Sequence, residues 1–189
     1  MGKLPETPSQ TAGPYLQIGL APAAAGIAGA ADLGTAIVPP NAPGERIRIE
    51  GRVLDGDGAP VTDVLIEVWQ ADAEGQYAPG FGWGRVMPDP ETGIFSFETV
   101  KPGAVPGPGN APQAPHLNLW LVARGINLGL ATRAYFSDEA EANEADPILG
   151  LIGDPACCHT LTALRGGAAP VYCFDINLQG DRETVFFDT

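Results

Sequence analysis

Between Arg46 and Phe136 the chain is cut into apolar runs of seven to nine residues, each closed by Gly, Pro or Asp. Runs of that length bounded by turn residues read as strands. They are Arg46–Leu54, Val64–Gln70, Ile94–Val100, His116–Ala123 and Leu130–Phe136. In the first, Ile47 and Ile49 alternate with Arg46, Arg48 and Glu50, the period of a half-buried strand. Asp55-Gly56-Asp57-Gly58 follows it, and its two glycines suit a tight reversal. Short strands at this spacing predict a β-sandwich.

The flanks differ. Residues 1–44 are rich in Pro, Gly and Ala, with a turn signal at Ala42-Pro43-Gly44. They read as an extended N-terminal arm, with room for one short helix, that needs the domain or a partner to order it. Residues 45–189 form the sandwich domain. Within it Ser137–Ala145 reads as a short helix capped by Ser137 or Asp138. Thr160–Arg165, Val171–Leu178 and Glu183–Phe187 are expected as closing strands. The architecture is all-β with short helical segments.

Charge narrows the partners. Against 23 acids stand only 10 bases, a net charge of −13. Phosphate binding needs a basic face, so nucleic acid and anionic membranes are excluded as partners. No apolar run is long enough to span a bilayer. The Ala-rich stretch Leu20–Ala31 lies far from the start, behind Pro-rich sequence, so no secretory signal is expected. Three cysteines, two of them adjacent (Cys157, Cys158), make no disulfide framework. The expected location is the reducing cytoplasm.

Candidate chemistry is sparse. His116 and Asn118 project from one face of their strand, but Asn is a poor transition-metal ligand. Cys157-Cys158-His159 has no second half-site at metal spacing and reads as a loop. Asp55/Asp57 and Asp72/Glu74 lie in turn sequence and read as capping groups. No nucleophile elbow, phosphate loop or dinucleotide fingerprint occurs. Arg133 is a rare base inside the apolar run Leu130–Phe136. It is either an outward strand residue or an anion clamp, for which a bidentate guanidinium is well suited.

Several segments together resemble the intradiol ring-cleavage dioxygenases. The core of the likeness is Gly51–Tyr77, with Ile66-Glu67-Val68-Trp69-Gln70-Ala71-Asp72 at its centre. Phe81–Arg85, Gly93–Gly103, Pro115–Asn118 and Tyr135-Phe136 extend it. Leu4–Tyr15, Ala123–Phe136, Asp138–Asn143 and Gly180–Thr189 are similar to the α chains of two-chain members.

The resemblance implies the β-sandwich fold of that family and a non-haem Fe(III) chemistry using two Tyr and two His. It also implies that this chain has lost the metal. Val105 stands where a Tyr ligand is expected, and His-x-His has become His116-x-Asn118. Tyr77 follows the Trp69-Gln70 segment too closely to match the other Tyr, so at best one ligand of four survives. Fe(III) would then be held by a partner β chain, in an assembly of repeated αβ units with the active site at the α/β interface. The implied substrates are protocatechuate and O2, in aromatic catabolism. Thr11, Gly13, Pro14 and Tyr15 would wall the substrate pocket, and Arg133 would face the substrate carboxylate. A self-sufficient homomeric dioxygenase would need four ligands that a chain with two His hardly supplies. A non-enzymatic β-sandwich binding module would leave the arm and Arg133 without a purpose.

Overall fold

The computed structural model describes residue 5, residues 8–167 and residues 170–188. Its strands are β1 (Arg46–Leu54), β2 (Leu65–Trp69), β3 (Trp83–Val86), β4 (Ile94–Val100), β5 (Val105–Pro106) and β6 (Pro112–Gln113), then β7 (His116–Val122), β8 (Leu130–Phe136), β9 (Thr162–Gly166), β10 (Val171–Cys173) and β11 (Ile176–Asn177). The helices are short: α1 (Pro14–Leu20), α2 (Ala140–Ala145), α3 (Leu149–Ile152) and α4 (Pro155–His159).

One hydrogen-bonded path runs β11-β1-β10-β9-β8-β7-β2-β3, with β4 antiparallel to β1 and β5-β6 a separate ribbon. The path folds over, so inward residues of its two halves share one core. Ile47, Ile49 and Val53 of β1 and Phe95 and Phe97 of β4 meet Ile66 and Val68 of β2, Leu117, Leu119 and Leu121 of β7, and Phe136 of β8. Every one alternates with an outward residue, which is why the strands were readable from period two. At roughly 1.5–3 kcal/mol for each buried large apolar side chain, this cluster is the main source of stability. The all-β sandwich is the fold observed.

Some boundaries differ from expectation. Glu183–Phe187 makes one isolated bridge, Ala131 to Phe187, rather than a strand. Val171–Leu178 is two strands, interrupted where Phe174 N–H bonds Glu50 O and Asp175 accepts from Arg52 N–H. The helix expected over Ser137–Ala145 begins only at Ala140, with Glu139 at its N-cap and no side-chain cap bond. Ser137 and Asp138 are engaged elsewhere: the Ser137 hydroxyl accepts from Arg165 N–H.

Asp138 is the hub of a charged network closing the β8, β9 and β10 ends. Its Oδ2 accepts from Lys101 Nζ (3.0 Å), Arg165 Nη1 (2.7 Å) and Tyr172 Oη (2.9 Å). Burial alone would raise its pKa, but these three donors outweigh it and hold the carboxyl down at about 2. A folded pKa below the unfolded value stabilises the protein above about pH 4, and that contribution is lost as pH falls towards 2. Because the side chain keeps 27% exposure, solvent screening reduces the full effect. Asp138→Asn is expected to cost about 1–2 kcal/mol at pH 7. Urea unfolding at several pH values checks this: the gap should close near pH 2, and no gap at pH 7 would refute it.

Candidate functional site

The outward face of β3-β2-β7-β8 carries the polar and aromatic residues singled out by sequence. Strand register arranges them in rows. Leu65 opposes Val122; Glu67 lies between Arg85 and Trp120; Trp69 lies between Trp83 and Asn118. Asn118 in turn faces Arg133, and His116 faces Tyr135. One strand phase thus brings His116, Asn118, Arg133 and Tyr135 together.

Tyr77 joins them through a turn. The Asp72 carboxylate accepts from the N–H groups of Glu74 and Gln76, as a capping group should. Gly75 sits at φ +78°, and a Cβ there would run into the Ala104 carbonyl, so the turn requires glycine. The chain then returns the Tyr77 ring to 4.8 Å from Trp69. Asn118 Nδ2 donates to Tyr77 Oη (3.1 Å) and to the Trp69 carbonyl (3.2 Å). Tyr77 therefore shares the site with His116 and Asn118, although its sequence spacing argued against it. Gln70, by contrast, is buried and structural: its amide bonds the Ala71 and Val100 carbonyls and accepts from Thr99.

Val105 is buried in β5, paired with Gln113 of β6. Gln113 Oε1 accepts from Arg133 Nη1 at 2.8 Å, and Tyr135 Oη lies 3.2 Å from the same nitrogen. The guanidinium also sits 5.7 Å from the Phe187 ring centre. Arg133 is half-buried, and none of the ion pairs among the described residues includes it. Burial lowers the pKa of His116, and the neighbouring Arg133 charge pushes the same way against the Ala114 hydrogen bond. Nδ1 of the neutral ring donates to the Ala114 carbonyl (2.7 Å), which leaves Nε2 with the free lone pair. Burial also pushes the Tyr135 hydroxyl up to about 12, despite Arg133.

These residues do not fit a ferric ion. Val105 offers no donor, and the Asn118 amide donates towards Tyr77 where a ligand would accept. No group of three or more His, Cys, Asp or Glu side chains converges among the described residues. Cys157, Cys158 and His159 lie in α4 rather than a loop: Asp154 caps the helix through Ala156 N–H. Burial raises the Cys158 thiol pKa, so neither sequence nor setting makes it a reactive thiolate.

The arm meets the opposite end of the same face. Leu16 and Leu20 of α1 pack with Ala12 and Ala21 on Leu65 and Val122. Thr11 Oγ1 accepts from Gly125 N–H (2.6 Å), and the Gly13 carbonyl accepts from Leu16 N–H at the start of α1. Pro14 opens α1, and Tyr15 is 82% exposed. Of the motif Leu4–Tyr15, residues 4, 6 and 7 lie outside the described residues. Four residues of β7, about 13 Å, separate Val122 from Asn118. Arg133 therefore belongs with His116 and Asn118, not with the arm. The base beside the arm is Arg124, next to Gly125 and 79% exposed in its side chain, with Asp63 Oδ2 at 3.2 Å. Sequence reading passed over Arg124; the one signal for it was a base directly ahead of a turn glycine.

The sequence profile of the family described as Dioxygenase matches residues 22–180. The protocatechuate 3,4-dioxygenase alpha chain of Pseudomonas putida is 47% identical, over 98% of this chain and 97% of that one. The beta chain of the Burkholderia cepacia enzyme is 38% identical, over 72% of this chain and 66% of its own. Among solved structures, the dioxygenase domain of a carbohydrate-binding fusion from Streptomyces sp. SirexAA-E superposes with a TM-score of 0.62 at 29% identity, covering 80% of this chain and 88% of that one. With its outward polar face built on a sandwich of this kind, the chain belongs to the intradiol dioxygenase family.

Proposed function

We propose that this chain is the α subunit of a protocatechuate 3,4-dioxygenase. Paired with a β chain that holds the Fe(III), it would cleave protocatechuate with O2 between the two hydroxyl-bearing carbons, giving 3-carboxy-cis,cis-muconate. The observation that carries the reading is 47% identity along nearly the full length of an α chain of that enzyme. The poor donor set at Val105 and Asn118 supports the division of labour between chains. The arm, residues 1–44, serves as a docking element, with Thr11, Gly13, Pro14 and Tyr15 as pocket wall. Thr11 is fixed by its bond to Gly125, and the Tyr15 ring stands free to meet a ligand or the partner. Co-expression with the β chain tests the reading: the complex should contain iron and consume O2 with protocatechuate. A complex without that activity would reject it.

The substrate is an anion in a field set by a net charge of −13, so a local guanidinium must hold its carboxylate. Arg133 is half-buried and outside every ion pair among the described residues, which supports its role as the clamp. One charge-assisted hydrogen bond contributes about 1.5–3 kcal/mol, or about ten- to a hundredfold in binding. Arg133→Ala in the assembled complex should lower kcat/KM for protocatechuate by that factor, and much less for catechol, which lacks the carboxylate. The Thr11–Gly125 bond favours a second reading in which Arg124 makes the grip. Arg124→Ala would then carry the selective loss and Arg133→Ala would not. If neither variant discriminates between the two substrates, no carboxylate clamp resides on this chain.

A further inference from the structure

The positions that the resemblance assigns to metal ligands, Val105, His116 and Asn118, are gathered on this chain with Tyr77 beside them, and one side chain lies among them. Arg133 is the cross-strand neighbour of Asn118. Its Nη1 bonds Gln113, which is the cross-strand neighbour of Val105, and Tyr135, which is the cross-strand neighbour of His116. Tyr77 closes the ring of positions through its hydroxyl contact with Asn118. Two metal-competent groups remain, the Nε2 lone pair of His116 and the phenol of Tyr77. An arginine stays charged at every accessible pH.

We infer that the Arg133 guanidinium is a built-in cation that keeps this site free of metal, independently of the lost ligands at 105 and 118. The inference rests on reading this chain as an α subunit with degenerate ligand positions, and it goes with the reading in which Arg124, not Arg133, grips the substrate carboxylate. Its physical basis is like-charge exclusion. A hard trivalent ion needs anionic oxygen donors close by, and a fixed positive charge among them repels the ion and competes with it for any phenolate. The guanidinium instead satisfies Gln113 and Tyr135 by hydrogen bonds, so the site is finished without a metal. Loss of ligands alone would leave a weak site; loss of ligands plus a resident cation leaves none.

The test restores the donors and varies the charge, in complexes with the β chain. V105Y/N118H rebuilds a two-Tyr, two-His set, and is combined with Arg133 intact, R133K, R133M or R133Q. Iron per αβ pair is measured by elemental analysis, relative to the wild-type complex, alongside visible absorption and assembly by gel filtration. The expected result is one further iron per pair with R133M or R133Q and none with Arg133 or R133K. R133Q, which can still bond Gln113 and Tyr135, decides the matter should R133M fail to assemble. Extra iron with Arg133 in place would overturn the inference, and so would extra iron with R133K. An assembled R133Q complex that gains no iron would overturn it equally. The readout is a difference between variants, so it stands apart from whether the wild-type complex cleaves protocatechuate.

Discussion

Purified without a β chain, the protein should contain no stoichiometric iron, show no visible absorption band and leave protocatechuate intact. Tyrosinate-to-Fe(III) charge transfer colours a competent site of this family, so colour reports occupancy directly. The expectation follows from the donors that remain. His116 presents one lone pair at Nε2, since Nδ1 is committed to the Ala114 carbonyl. Tyr77 presents a phenol that already accepts from Asn118. Val105 presents a buried isopropyl group. Two donors cannot retain a hard cation that an enzyme site grips with four. Elemental analysis and an oxygen electrode check the claim, and adding the β chain should restore turnover from background. A coloured, iron-loaded chain that turns over alone would overturn the division between subunits.

A stability loss of similar weight is expected from a single methyl group at Gly51. This residue lies in β1 opposite Phe95 of β4, where the chain passes from β10 to β11 on the other side. A Cβ there would overlap the Phe174 carbonyl group and come within 3.1 Å of the Phe95 ring. The obstacle is backbone, held by the Phe174 N–H bond to Glu50 O (2.8 Å) and by Asp175 on Arg52 N–H (2.9 Å). Relief requires β1 to part from β10 and β11, the strands that complete the sheet. Overpacking usually costs about 1–3 kcal/mol, more where backbone must move. Gly51→Ala should therefore lose about 3 kcal/mol or more, with a Tm drop of roughly 6–12 °C. Gly150→Ala is the control, because nothing lies within 4 Å of a Cβ at that helical position. Urea midpoints for both variants decide it; a Gly51→Ala protein within about 1 kcal/mol of wild type would sink the argument.

Which elements local sequence encodes depends on the range of the forces that hold them. Arg46–Leu54, Ile94–Val100 and Leu130–Phe136 were placed to the residue, because alternation is local and one face of each packs into a single core. Trp83–Val86 was not expected as a strand. It is four residues long with a central glycine, and what makes it a strand is pairing with Ile66–Trp69 of the preceding strand across a long loop. Glu183–Phe187 alternates like a strand yet makes a β-bridge only at Ala131, with further hydrogen bonds to Asn177, Thr160 and Thr132. At the site, His116 and Asn118 were readable as one face from their spacing alone. Tyr77 was not, since a turn fixed by Asp72 and Gly75 delivers it. Arg133 could be read as a clamp or as a surface residue. What its neighbours are depended on a β7-β8 register that no local pattern encodes. Arg124 became visible only when Thr11, more than a hundred positions earlier, bonded beside it.

The residues just ahead of β1 also shield an open seam. Gly34 and Ile37 offer their carbonyls to the N–H groups of Arg85 and Gly82, along the side of β3 that faces away from β2. Ile37 and Val38 are drawn into the core as they do so. An uncovered strand margin with unused donors is a template for another chain, and proteins blunt such margins to stay soluble. Here the Pro- and Gly-rich lead segment does that work without itself being a strand, so it offers no new margin in exchange. Shortening the chain to a neat sandwich that starts at Arg46 would strip this cover. A crowded cell would then meet a sticky β3, flanked by the exposed Trp83 and Trp69, before any partner arrived.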